Sequence, residues 1–157
     1  MTVQTTRTDS NAARQALVER HEDVRYPFAF KSIDWDEYHV FRPAYPPSMW
    51  DMWMSYHRSH GGRFEAAHDI GAGPGTAARA LAHFFDHVYV SDAGKHNIAT
   101  ARQQLRPASR FSFSSSPAEA GWLADRTVDM ACICMALHFM DAGAALRAAA
   151  RRCGWRP

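Results

Sequence analysis

From about residue 47 onward apolar residues recur in two rhythms: short runs of the kind a buried strand needs, and longer stripes at helical spacing. The first stripe is Trp50, Trp53, Met54 and His57. It predicts a helix from Pro47, a residue suited to a first turn, to about His60, with Gly61-Gly62 ending it. A buried strand then closes at His68-Asp69-Ile70. Thr76 to Phe85 is a good helix former, with Ala77, Ala80, Leu81 and Phe84 on one apolar face. His87 to Ser91 reads as a second strand ending at Asp92. Ile98, Ala101 and Leu105 predict a helix from Lys95 to Leu105, stopped by Pro107. Arg110 to Ser114 alternates apolar and polar, as an outer strand does. Val128 to Cys134 is almost continuously apolar, the pattern of a central parallel strand. Met135 to Asp141 then turns into a last helix reaching about Arg152. Strands and helices alternate, so the expected fold class is α/β, a doubly wound parallel sheet with right-handed crossovers.

The front of the chain behaves differently. Residues 1–25 are polar and read as a leader, either without fixed structure or with a short helix from Ser10 to Arg20. Residues 26–47 carry too many aromatics for a linker, so the folded domain is expected over 26–157. A chain of 157 residues suits one such domain with a real core. A net charge of +2 gives no strong pull toward nucleic acid or an anionic membrane. No apolar run is long enough to span a bilayer, and the first residues lack the apolar centre of a secretory signal. Three cysteines argue against a disulfide framework and for a reducing, cytoplasmic setting.

The candidate chemistry begins where the first strand ends. Asp69-Ile70-Gly71-Ala72-Gly73-Pro74-Gly75-Thr76 is a glycine-rich turn that opens a helix. Such a turn lets backbone approach a ligand closely and aims free N–H groups at it. A dinucleotide fingerprint needs a third glycine where Thr76 stands, and this counts against a nicotinamide oxidoreductase. Asp92 lies about 20 residues past the turn, where an acidic group accepts hydrogen bonds from ribose hydroxyls; the bland alternative is a turn or helix-capping aspartate.

Ordered along the chain, these segments resemble class I S-adenosylmethionine-dependent methyltransferases of the methyltransferase type 11 kind, and more closely fungal proteins similar to trans-aconitate methyltransferases. Tyr38-His39-Val40-Phe41-Arg42-Pro43-Ala44-Tyr45-Pro46 matches the family's Y-x-x-x-R-P-x-Y-P box. Asp69 to Gly75 matches its D-x-G-x-G-x-G loop, and Asp92 its acidic strand end. Pro117-Ala118-Glu119 matches the turn beside the adenine, and Val128-Asp129 the fourth-strand motif. Ala136-Leu137-His138-Phe139-Met140-Asp141 matches A-x-H-W-x-D with Phe for Trp. The resemblance implies a Rossmann-like sheet whose strand order begins 3-2-1-4 and S-adenosyl-L-methionine as cofactor. It implies cofactor contacts from Asp69, Gly71, Ala72, Gly73, Gly75, Asp92, Ala118 and Glu119. The reaction implied is methyl transfer to an oxygen or carboxylate of a small molecule, in secondary metabolism. His138 is the candidate base, with a packed turn histidine as the alternative. Arg42 and Tyr45 either contact cofactor or substrate carboxylate or pack over the sheet.

The family's fold has seven strands, whereas four are legible here, so the expectation is a C-terminally truncated sheet whose fourth strand forms an edge. Two hypotheses follow: a methyltransferase acting alone or as a dimer, or a non-catalytic relative that completes its sheet with another chain. The remaining features read as bland. His57/His60 and His83/His87 lack further metal ligands, so no metal is expected. Cys132 and Cys134 share a strand face and pack as small apolar groups, and Arg147, Arg151 and Arg152 are expected on a solvated helix end.

Overall fold

The computed structural model describes residues 41–42 and 45–154. The leader, its Ser10–Arg20 helix and the start of the aromatic box, including Tyr38, lie outside the described residues. Helix α1 (Pro47–Ser59) begins with proline in its first turn; past its end, Gly61 takes φ +76° and the Gly62 amide bonds back to the His57 carbonyl. Strands β1 (Ala66–Ile70), β2 (His87–Asp92), β3 (Phe111–Ser115) and β4 (Met130–Cys132) form one parallel sheet in the order β3-β2-β1-β4. Helices α2 (Thr76–Leu81), α3 (Lys95–Gln104) and α4 (Ala142–Arg152) complete the chain order.

The pleat sorts the strand residues onto two faces. On one face Ala67, Val88, Val90 and Phe111 pack with Trp50 and Met54 of α1, Ala77, Ala78 and Leu81 of α2, and Ile98 and Ala101 of α3. On the other, Ile70 packs with Ala118 and with Ala145 and Ala149 of α4. The sheet is therefore covered on both sides, as the alternating pattern requires. Asp141 caps α4 by accepting from the Ala144 amide at 2.9 Å.

Four expectations change. The α2 helix stops at Leu81 rather than Phe85, because the chain folds into tight turns that bury Phe85 against Phe64 and His57. The segment between β3 and β4 holds no helix among the described residues; residues 116–129 are a run of turns bonded to the end of α4. The regular part of β4 covers only Met130–Cys132; Met130 and Ala131 within it and Ile133 after it are half-buried, and among the described residues only β1 pairs with it. Arg152 is buried rather than solvated, and its guanidinium donates to the carbonyls of Ala118 and Ala120. A buried cation with fixed carbonyl acceptors is a clamp, not a charged helix end. His57 donates to the Arg63 carbonyl at 2.7 Å and His87 meets Ser112 Oγ at 3.0 Å, so both have structural partners.

Candidate functional site

A cavity of about 930 Å³ opens at the carboxyl ends of the strands. It is large enough for a cofactor and a small partner molecule. Its floor is the turn after β1, its sides are the ends of β2 and β3, and the segment after β4 and the α1 entry close it.

The turn is built by glycine. The Gly71 and Ala72 amides both donate to the Ser91 carbonyl, at 2.8 and 3.0 Å, folding the chain over the end of β2. Gly71 sits at φ +69°, and a Cβ there would lie 2.7 Å from both Ala136 Cβ and Met140 Cε. Gly75 caps α2 in the left-handed conformation at φ +91°, with its missing Cβ only 2.9 Å from Leu105 Cδ1. Both positions need glycine for conformation and for room.

Asp92 joins the two halves of this floor. Its Oδ2 accepts from the Gly73 amide at 2.9 Å, and its Oδ1 from the Gly94 amide at 2.8 Å and from Asn97 Nδ2 at 2.9 Å. An ionised carboxylate offers about four acceptor sites, so the residue holds its own backbone and retains capacity for a ligand donor. The turn-aspartate reading and the ligand reading are thus compatible. Asp69 lies beneath it, 1% exposed, with Oδ2 accepting from the Ala78 amide at 2.8 Å. Burial pushes its carboxyl up to about 7; the Ala78 bond opposes this and the nearby Asp92 charge adds to it.

The turn after β3 is also anchored. Ala118 is buried, and Glu119 Oε1 accepts from the Asp141 amide at 2.9 Å. Arg152 holds the Ala118 carbonyl at 3.1 Å from behind. Arg42, Tyr45 and His138 line the same cavity as the glycine turn. Tyr45 meets Trp50 edge-on at 5.9 Å, and exposed His138 lies against Phe139 with ring centroids 3.9 Å apart. Every candidate residue thus borders this one space or shapes its floor: Asp69, Gly71, Ala72, Gly73, Asp92, Ala118 and Glu119 line it, and Gly75 positions α2.

Sequence reasoning missed Asn97, Trp50 and Cys134, which also line the cavity. Asn97 had a signal: it is a polar residue beside the inward stripe of α3, and it is 2% exposed. Trp50 was read as core, which it also is. No metal-binding group of three or more His, Cys, Asp or Glu occurs among the described residues, and none of their helices is long and apolar enough to cross a membrane.

Residues 68–153 match the methyltransferase domain family. The methyltransferase nsrG of Aspergillus novofumigatus is 41% identical over 115 residues, covering 73% of this chain and 44% of that protein. The methyltransferase tpcM of Aspergillus fumigatus is 40% identical over 124 residues, covering 78% of this chain and 39% of its own. Among solved structures, a protein of Anaeromyxobacter dehalogenans assigned as a type II methyltransferase superposes with a TM-score of 0.57 at 34% identity, over 74% of this chain and 46% of that one. The chain therefore spans less than half the length of these relatives.

Proposed function

The chain belongs to the methyltransferase domain family, and from that premise we propose that it binds S-adenosyl-L-methionine in the cavity and methylates an oxygen or carboxylate of a small molecule. The observation that carries the reading is Asp92, fixed by the Gly73 amide in the floor of the cavity with acceptor capacity to spare. The residues fit such a cofactor: a close-approach glycine floor, a carboxylate hydrogen-bonded to it, and a partly buried turn at Ser116 to Glu119 for the adenine.

When bound, S-adenosyl-L-methionine supplies a sulfonium methyl group. The chain's part is alignment, which counts most in an in-line displacement. The turn from Gly71 to Thr76 receives the amino-acid end, Asp92 accepts from the ribose hydroxyls, and Ala118 and Glu119 flank the base. Arg42 and Tyr45 hold a carboxylate at the α1 side, a task suited to a guanidinium. His138 accepts the proton where the acceptor is a hydroxyl; a carboxylate acceptor needs no base. The setting we propose is cytoplasmic secondary metabolism, as expected from the sequence.

Calorimetric titration with S-adenosyl-L-methionine tests this. Micromolar binding that Asp92→Ala weakens tenfold or more, about 1.4 kcal/mol, supports the reading. A folded wild-type chain that takes up no cofactor, or a variant that binds as well as wild type, ends it.

One observation favours a second role in assembly. Among the described residues β4 is an edge strand of the sheet, and beside it Met52, Trp53 and Tyr56 of α1 form an apolar groove of about 440 Å³ with Met130, Ala131 and Ile133. An unpaired edge beside apolar surface takes up another strand, here that of a second copy.

A further inference from the structure

We propose that Cys132 and Cys134 form an oxidisable dithiol in the cavity wall, which closes to a disulfide by exchange with a low-molecular-weight disulfide such as oxidised glutathione. Their sulfurs are 3.1 Å apart, inside ordinary sulfur contact. A disulfide bond is about 2.05 Å long, so closure asks for a movement of about 1 Å. The backbone allows it: β4 ends at Cys132, and the chain bends through Met135 at φ +54°, so Cys134 is free of the sheet's pairing. The two thiols differ in access. Cys132 is 7% exposed and packs in the core, whereas Cys134 is half-buried and lines the cavity. A reagent entering the cavity therefore meets Cys134 first.

The exchange balances in two steps. The Cys134 thiolate attacks one sulfur of the small disulfide, forming a mixed disulfide and releasing one small thiol. The Cys132 sulfur then attacks the Cys134 sulfur, loses its proton and expels the second small thiol. The protein has lost two hydrogens, and one disulfide has been reduced to two thiols. The order of attack follows from the surroundings. The hydrogen bond with Cys134 pushes the Cys132 thiol up, helped by burial and by the charges of Asp69 and Cys134, so Cys132 keeps its proton and offers it to its neighbour. Once Cys134 is capped, that hydrogen bond is lost, which frees Cys132 to resolve the adduct. The remaining cysteine, Cys153, is the C-cap of α4 on the far face of the sheet, beside the Ala131 backbone.

The consequence for binding rests on the function proposed above. Closure pulls residues 132–134 together next to Met135 and Ala136, which line the cavity, and Ala136 touches the space over Gly71. The oxidised chain then binds S-adenosyl-L-methionine at least tenfold more weakly than the reduced one. The test treats the full chain with oxidised glutathione, alkylates the remaining thiols, and maps the peptides by mass spectrometry. The expected result is one peptide carrying Cys132 and Cys134, unalkylated and short of two hydrogens, with Cys153 alkylated and everything restored by dithiothreitol. In Cys132→Ser, glutathione stays attached at Cys134. Cys132 and Cys134 both still alkylatable after treatment, a stable glutathione adduct on wild-type Cys134, or oxidation centred on Cys153 each overturns the proposal. A disulfide that forms in a chain whose reduced state binds no cofactor leaves the dithiol standing and removes the cofactor reading instead.

Discussion

Asp69 and His68 are neighbours on β1 that titrate against each other. Asp69 is pushed up to about 7, chiefly by burial, from 3.8 in an open chain. Between about 4 and 7 the unfolded chain has lost a proton that the folded chain keeps, so this residue makes stability fall as pH rises. His68 is fully buried, with Nε2 at 2.8 Å from Ser91 Oγ, and is held down to about 3 by burial and by the Arg152 charge, against 6.5 when open. Between 6.5 and about 3 the unfolded chain takes up a proton the folded chain refuses, so stability falls as pH drops. In the shared window, about pH 4 to 6.5, the two slopes oppose and largely cancel. Asp69→Asn removes one of them, and its urea midpoint should then rise steadily with pH across that window. A midpoint flat in both wild type and variant contradicts the burial argument.

Gly71 makes a second prediction at the same scale. Gly71→Ala meets both a left-handed φ and two side chains at 2.7 Å. The conformation alone costs about 1–2 kcal/mol, and the clash adds to it. Thermal unfolding should show the loss, and cofactor titration should show the cavity floor displaced. An alanine variant as stable as wild type would mean that the turn relaxes freely.

Among the elements, the start of β1 is tied to the entry of β4 by one side chain. Asp129 Oδ2 accepts from the Glu65 and Ala66 amides at 2.9 and 3.0 Å, while Oδ1 accepts from Arg63 Nε and from an Arg63 terminal nitrogen, at 3.2 and 3.1 Å. The Val-Asp motif is thus a latch between strands rather than part of the cavity. Asp129→Ala strands two backbone donors, at a cost of about 2 kcal/mol. Denaturant unfolding should report that loss, whereas cofactor affinity per folded molecule should stay within twofold. An affinity loss larger than the stability loss would place Asp129 in binding instead.

Elements with their own apolar stripe were legible: α1, α3 and α4 lie within a residue or two of their expected spans. The glycine turn and Asp92 were legible because backbone conformation and charge both restrict residue choice there. What could not be read were the features that tertiary contact decides. Phe85 ends α2 early because it is drawn into the Phe64 and His57 cluster, although its local sequence favours more helix. Arg152 looks like a dipole-complementing cation, yet the turn at Ala118–Ala120 gives it buried carbonyls to bond. Nothing in a one-dimensional pattern brings residue 152 to residue 118.

Among the described residues the sheet has two edge strands, β3 and β4, and β4 is the one flanked by exposed apolar side chains of α1. Among the described residues β1 and β2 have neighbours on both sides, whereas β3 and β4 have one each, and Met52 and Tyr56 beside β4 are 61% and 67% exposed. This arrangement predicts that the chain self-associates as its concentration rises. Sedimentation velocity should show a dimer that Met52→Lys with Tyr56→Lys abolishes, since two cations cannot be buried in that groove. A wild-type chain that stays monomeric throughout contradicts the second role.

The central claim is that the cavity at the strand ends is a methyl-donor site, and its location can be tested amide by amide. Two-dimensional amide NMR of the chain titrated with S-adenosylhomocysteine is the most direct measurement. The account predicts shifts concentrated at Gly71–Thr76, Asp92–Asn97, Ser116–Glu119 and Met135–Met140. Saturating ligand that leaves those amides unmoved, or that moves only Met52–Tyr56 and Met130–Ile133, would contradict it.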